Sequence, residues 1–243
     1  MIKRILVIGL VLAAGAGVGA IAAWQQATHL PGWYTQTEGT ATDPDIAILT
    51  AEQLQQPEEV QQIRLNFNRT VENAFNQGES ASNQPPQVRL NAQEFNQLLV
   101  AALPESAASE EVYSAIKGIE TQIKQDRLKS GAVVNMGELP LEQLPERYQQ
   151  MAKGVFSTFP ALKNREVYVG IEGQPRLENG RLVLDDQTRI KVGNISLSQQ
   201  EVSRRLGLSP AELNRLLTLN VGNLQVQDLE FSGNTAILKG TTP

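Results

Sequence analysis

Residues 167–197 read VYVGIEGQPRLENGRLVLDDQTRIKVGNISL. Val167, Val169 and Ile171 alternate with Tyr168, Gly170 and Glu172, a period of two that marks a half-buried strand. Gly173-Gln174-Pro175 breaks it, and Asn179-Gly180 is a strong tight-turn signal. Leu182 and Leu184 resume the alternation, Asp185-Asp186 turns the chain again, and Ile190 and Val192 form the next strand. Short strands joined by tight turns predict an antiparallel sheet.

Working outward, a strand is expected in LKSGAVVNM (Leu128–Met136). Downstream, two short helices are expected, Ser198 to Leu206 and Ser209 to Leu217, the second capped by Ser209 with Pro210 at its first position. The chain then closes on a hairpin. Leu224, Val226, Leu229 and Phe231 face Ala236 and Leu238 across Ser232-Gly233-Asn234, and the slip in alternation predicts a bulge near Gln227-Asp228.

Upstream the period is helical. Pro57 to Gln77 carries a stripe of Val60, Ile63, Phe67, Val71 and Ala74. A helix opening at Asn91, with Glu94 as capping-box partner, places Phe95, Leu98, Leu99 and Ala102 on one face. Helices are also expected over Ser109–Gln125, from Val112, Ile116, Ile119 and Ile123, and over Leu141–Thr158, with Leu144, Tyr148, Met151, Val155 and Phe156 inward. Residues 25–50 and Gly78–Gln87 are rich in turn chemistry and read as linkers. The fold class is therefore α+β, amphipathic helices on a twisted antiparallel sheet, in a domain over residues 51–243.

Ile5 to Trp24 is a run of 20 residues without a charge. As a helix it spans about 30 Å, the thickness of a bilayer's hydrocarbon core. Lys3 and Arg4 precede it and no charge follows until Glu38, so the N-terminus is expected in the cytoplasm and the rest outside. Residues 1–24 read as a transmembrane signal anchor, with cleavage after Ala20-Ile21-Ala22 as the alternative fate. Trp24, Trp33 and Tyr34 suit the far interface. Gly15 and Gly19 form a GxxxG pair, a frequent pattern in such runs.

The chain has no cysteine and one histidine, so thiol chemistry and multi-histidine metal centres are excluded. Beyond the anchor, 19 basic residues stand against 26 acidic ones, which argues against nucleic acid as a partner. His29 has no nucleophile near it in sequence. Ser114-Ala115-Ile116-Lys117 matches SxxK but lacks the companion elements of a serine hydrolase. Asp185-Asp186 and Asp43-x-Asp45 supply too few oxygens for calcium. No catalytic residue, metal or cofactor is expected, and the chain reads as a binding or structural protein.

LNAQEFNQLLVAAL (Leu90–Leu103) and the Val167–Leu197 run resemble a YpmS-like family of single-pass bacterial envelope proteins of unknown function. Further pieces of the likeness are Gly131-Ala132-Val133-Val134-Asn135, Gly173-Gln174-Pro175, Asn179-Gly180 and Lys191-Val192-Gly193-Asn194. It covers Leu90 to Gly240, and the glutamine-rich composition is similar to that of a cyanobacterial member. The resemblance implies a membrane-anchored envelope protein handling lipid, and it carries no catalytic residues.

The leading expectation is a non-enzymatic extracytoplasmic domain, anchored in the membrane by residues 5–24, that binds lipid or another apolar ligand. A groove for it would be lined by Phe67, Val71, Phe95, Leu99, Tyr148 and Phe156. The rival is an envelope assembly or scaffold factor that binds a membrane-protein partner. An internal apolar cavity would favour the first, and a filled core with an exposed apolar patch of several hundred Å² the second.

Overall fold

The computed structural model describes residues 26–35, 45–79, 86–102, 110–143, 149, 164–178, 181–206, 209–211 and 225–241. The apolar run 5–24 lies outside them, as do Tyr148, Phe156 and most of the expected helices 141–158 and 209–217. Among the described residues no helix is long and apolar enough to cross a membrane.

Eleven strands are described: β1 (Ile46–Thr50), β2 (Gln87–Leu90), β3 (Ile116–Lys124), β4 (Arg127–Asn135), β5 (Glu166–Gly173), β6 (Arg176–Glu178), β7 (Arg181–Val183), β8 (Arg189–Val192), β9 (Ile195–Ser198), β10 (Gln225–Ser232) and β11 (Thr235–Thr241). They form an antiparallel six-stranded sheet in the order β1-β3-β4-β5-β8-β9, a three-stranded sheet β10-β11-β2 and the pair β6-β7. The helices are α1 (Gly32–Thr35), α2 (Ala51–Gln55), α3 (Pro57–Glu79), α4 (Ala92–Ala101), α5 (Glu110–Ala115) and α6 (Gln199–Leu206). The α+β class holds, with helices packed against antiparallel sheets.

Local chemistry explains the element ends. Asn91 caps α4, accepting from the Glu94 amide at 2.9 Å while Glu94 accepts from the Asn91 amide at 2.8 Å. Ser198 and Glu201 make the same reciprocal cap on α6. Asp185 closes its turn by accepting from the Thr188 amide and hydroxyl. The last hairpin carries a register shift between Val226 and Asp228, where the bulge is expected.

The helix expected over Ser109–Gln125 is corrected. Only Glu110–Ala115 is helical, and Ile116–Lys124 is a strand paired on both sides. The register slips between Ile116 and Gly118, so Ile116 opposes Val134 and Ile119 opposes Ala132. The bulge puts residues three apart on one face of a strand, which imitates a helical stripe. The linker reading of 25–50 also changes: β1 is an edge strand of the large sheet, and Ala27 is fully buried.

The register assigns the sheet's two faces. Leu49, Ile119, Ile123, Leu128, Val134, Val167, Val169, Ile190, Val192 and Leu197 point inward, to core shared with α3, α4 and the three-stranded sheet. Thr121 and Ser130 also point inward and satisfy each other at 2.7 Å. Buried Asn96 on α4 donates to the Ala47 carbonyl at 3.0 Å, pinning the helix to the edge strand.

The two sheets are stitched at their hairpin tips. Gln125 and Asp126 turn β3 into β4 with φ of 53° and 62°, the left-handed pair that a two-residue hairpin needs. Asp126 bonds to Gly233 at the other tip through its amide, at 3.1 Å, and through its carboxylate, at 2.5 Å. Asp126→Ala should lower stability by about 1–2 kcal/mol, through left-handed strain and the lost charge-assisted bond. A urea midpoint unchanged from the parent would contradict this role for the tip contact.

Candidate functional site

Of the six residues expected to line a groove, Phe67, Val71 and Phe95 are at most 4% exposed. They belong to one packed cluster with Phe75, Leu90 and Leu98. Leu99 is partly buried between the two core clusters. Tyr148 and Phe156 lie outside the described residues. The three buried residues are brought together as core, so Phe67→Ala should destabilise the fold by about 3–5 kcal/mol, the cost of a large interior cavity. A loss below about 1 kcal/mol in denaturant melts would show that they border open space.

The outer face of the six-stranded sheet carries a polar constellation. By register, Gly118, Glu120 and Gln122 of β3 share it with Lys129, Gly131 and Val133 of β4, and with Tyr168, Gly170 and Glu172 of β5. Glu120 is fully buried and accepts from Lys129 Nζ at 2.8 Å. The Tyr168 ring lies over Gly131 and Gly170, where its hydroxyl would stand 2.6 and 2.8 Å from an added Cβ. Glu120 pairs directly with Gly131, so the phenol and the carboxylate are neighbours. Burial, then the charges of Glu120 and Glu172, push the Tyr168 phenol far above its ordinary range.

Gln26–Thr35 runs across this face as a strap. At one end the Asn194 amide, in the β8–β9 turn, donates to the Gln26 carbonyl at 2.8 Å. Gly193 sits there with φ +55°, and a Cβ on it would overlap the Gln26 and Ala27 carbonyls. At the other end Trp33 packs over Gly118, its ring 3.1 Å from where a Cβ would stand. Gly193 donates to the Tyr168 carbonyl, Tyr168 pairs with Val133, and Val133 pairs with Gly118. The strap therefore crosses the strands along one row, over Tyr168 and Val133, both buried although they face outward. Trp33 rests on the sheet, where the sequence places it at a membrane interface.

The far end of the sheet opens into a different feature. A cleft of about 530 Å³ is lined by Asp126, Gln174, Pro175, Arg176, Asp228, Leu229, Glu230 and Phe231. Lys239 bridges Asp228 at 3.4 Å and Glu230 at 2.6 Å. The cleft is charged and suits a polar contact, not an acyl chain.

The remaining candidates are structural. In the SxxK motif, Lys117 Nζ donates to the Ser114 carbonyl and pairs with Glu138, while the Ser114 hydroxyl donates to the Glu111 carbonyl. His29 is exposed. Among the described residues no group of three or more His, Asp or Glu could hold a metal ion. No known protein family, curated protein or solved structure matches the chain.

Burial, then a hydrogen bond from its hydroxyl to Glu166 and that carboxylate's charge, push the Tyr34 phenol up from 10.0 to about 12. The neutral phenol is the form the strap holds. Its contribution is whole below pH 10 and lost as pH rises toward 12. Trp33 emission, followed in a Trp24→Phe background, should shift to the red in that window. Unchanged emission through it would contradict the Tyr34–Glu166 tie.

Proposed function

We propose that this chain is a membrane-anchored, extracytoplasmic scaffold domain, without catalytic machinery, that binds a membrane-protein partner. The observation behind the reading is the strap. Residues that follow an apolar run of membrane length begin to dock on the sheet at Gln26, two residues past Trp24. With the strap docked, a domain tied this closely to an anchor presents one orientation to its neighbours.

The charged cleft supplies that surface. It lies at the hairpin tips, seven residues along β4 from the row the strap crosses, or roughly 25 Å at strand rise. The cleft would thus face away from the bilayer, where an extracytoplasmic part of a neighbour can reach it. Among the described residues Leu65 is the exposed large hydrophobic side chain, so the contact proposed is polar. The charge-free run Ile5–Trp24 behind Lys3 and Arg4 supports the anchored topology. The lipid reading has less support, because Phe67, Val71 and Phe95 are packed core.

In-cell photocrosslinking from Gln174, in the full anchored chain, tests the reading. The expected product is one discrete adduct with an integral membrane protein, reduced at least about tenfold by Arg176→Glu, in keeping with loss of a paired interfacial charge. Adducts with lipid alone, or none in cells that express the folded chain, would overturn it.

A further inference from the structure

The contacts beneath the strap are close, and three buried polar atoms there lack a protein partner. Trp33 Nε1, Glu120 Oε2 and Tyr168 Oη are buried, and no protein group accepts from or donates to them. All three belong to the outer face or to the strap that crosses it. In water each would be solvated, so docking gives up hydration at three polar atoms. Against that, docking buries Ala27, leaves Trp33 only partly exposed and makes the Tyr34–Glu166 hydrogen bond. The Asn194 amide ties sheet to strap through the Gln26 carbonyl, and the Tyr34 hydroxyl ties strap to sheet through Glu166. The backbone bonds from His29 to Gln26 and from Tyr34 and Thr35 to Pro31 are local to the strap. By contrast β4 is hydrogen-bonded along its length on both sides.

We propose that Gln26–Thr35 is a detachable strap, docked across the sheet at rest and released as a unit while the two sheets stay folded. The sheet does not need it, because the core clusters and the strand pairings contain no strap residue. The docked state has a low opening free energy because unpaired polar atoms offset its apolar burial. Release frees ten residues, which span about 35 Å at full extension. The domain would then have a short-tether and a long-tether state, and a partner that prefers one would shift the balance. The change in reach rests on the anchored reading above, whereas detachability does not.

Amide hydrogen exchange of the full chain in nanodiscs tests this, with Tyr168→Phe and Trp33→Ala beside the parent. In the parent, peptides over Gln26–Thr35 and the Asn194 amide should exchange at least about 100-fold faster than β4 and β5. Tyr168→Phe removes an unpaired buried hydroxyl and should slow strap exchange by about five- to tenfold. Trp33→Ala should bring the strap to the exchange rate of free chain and leave β4 and β5 protected. Three results would overturn the proposal. One is a strap that exchanges no faster than β5. Another is a Trp33→Ala variant in which sheet protection collapses with the strap. The third is faster strap exchange in Tyr168→Phe, which would mean the phenol is bridged to a partner and holds the strap down. A failed partner crosslink leaves all of these readouts intact.

Discussion

The Tyr168 ring lies over Gly131 and Gly170, in space that two Cβ atoms would otherwise fill. That contact sets the shape of the outer face. It lowers the profile of the sheet along one row, places the phenol beside buried Glu120, and leaves a bed that the strap crosses between Gly193 and Gly118. A side chain at Gly131 or Gly170 would lift Tyr168 and with it the chain above. At Gly193 the strap approaches so closely that no side chain fits, and the left-handed φ there favours glycine independently. Burial on both faces at one end of the sheet, inner face to core and outer face to strap, follows from these three residues. Farther along the same face Gln122, Lys129, Glu172 and Lys191 remain partly open to solvent.

Local periodicity made much of the fold legible. The alternation of Val167, Val169 and Ile171, the Asn91–Glu94 cap and the slip near Asp228 each rest on short-range chemistry, and each is found where the pattern puts it. Ile116, Ile119 and Ile123 mislead because a bulge at the start of β3 keeps residues three apart on one face. The β-branched content of that segment, with Thr121 and Gly118, was the counter-signal. In the same way Ile46–Leu49 is a short apolar run inside turn-rich sequence, and pairing with β3 makes it an edge strand.

The site was less legible than the fold, for a physical reason. A stripe on a helix looks the same whether it faces a ligand or a core, and Phe67, Val71 and Phe95 face a core. The outer-face constellation joins Trp33, Glu120, Lys129 and Tyr168 across well over a hundred residues of chain through strand pairing and the packing of the strap, so no spacing announces it. The glycines carried a partial signal. Gly131 and Gly193 stand in strand or turn sequence as backbone devices, and the structure adds what approaches them, an aromatic ring in one case and the strap in the other.

Gln26–Thr35, just past the apolar run, is folded onto the sheet. Because the protein has no cysteine, spin labels can be placed on His29→Cys and Ser196→Cys in the full chain without background, both positions being exposed. Pulsed dipolar spectroscopy in nanodiscs should give one dominant, narrow distance between strap and β9, the signature of a docked segment. A broad distribution with no dominant peak would show that Gln26–Thr35 is a free tether, and would contradict its docking on the sheet.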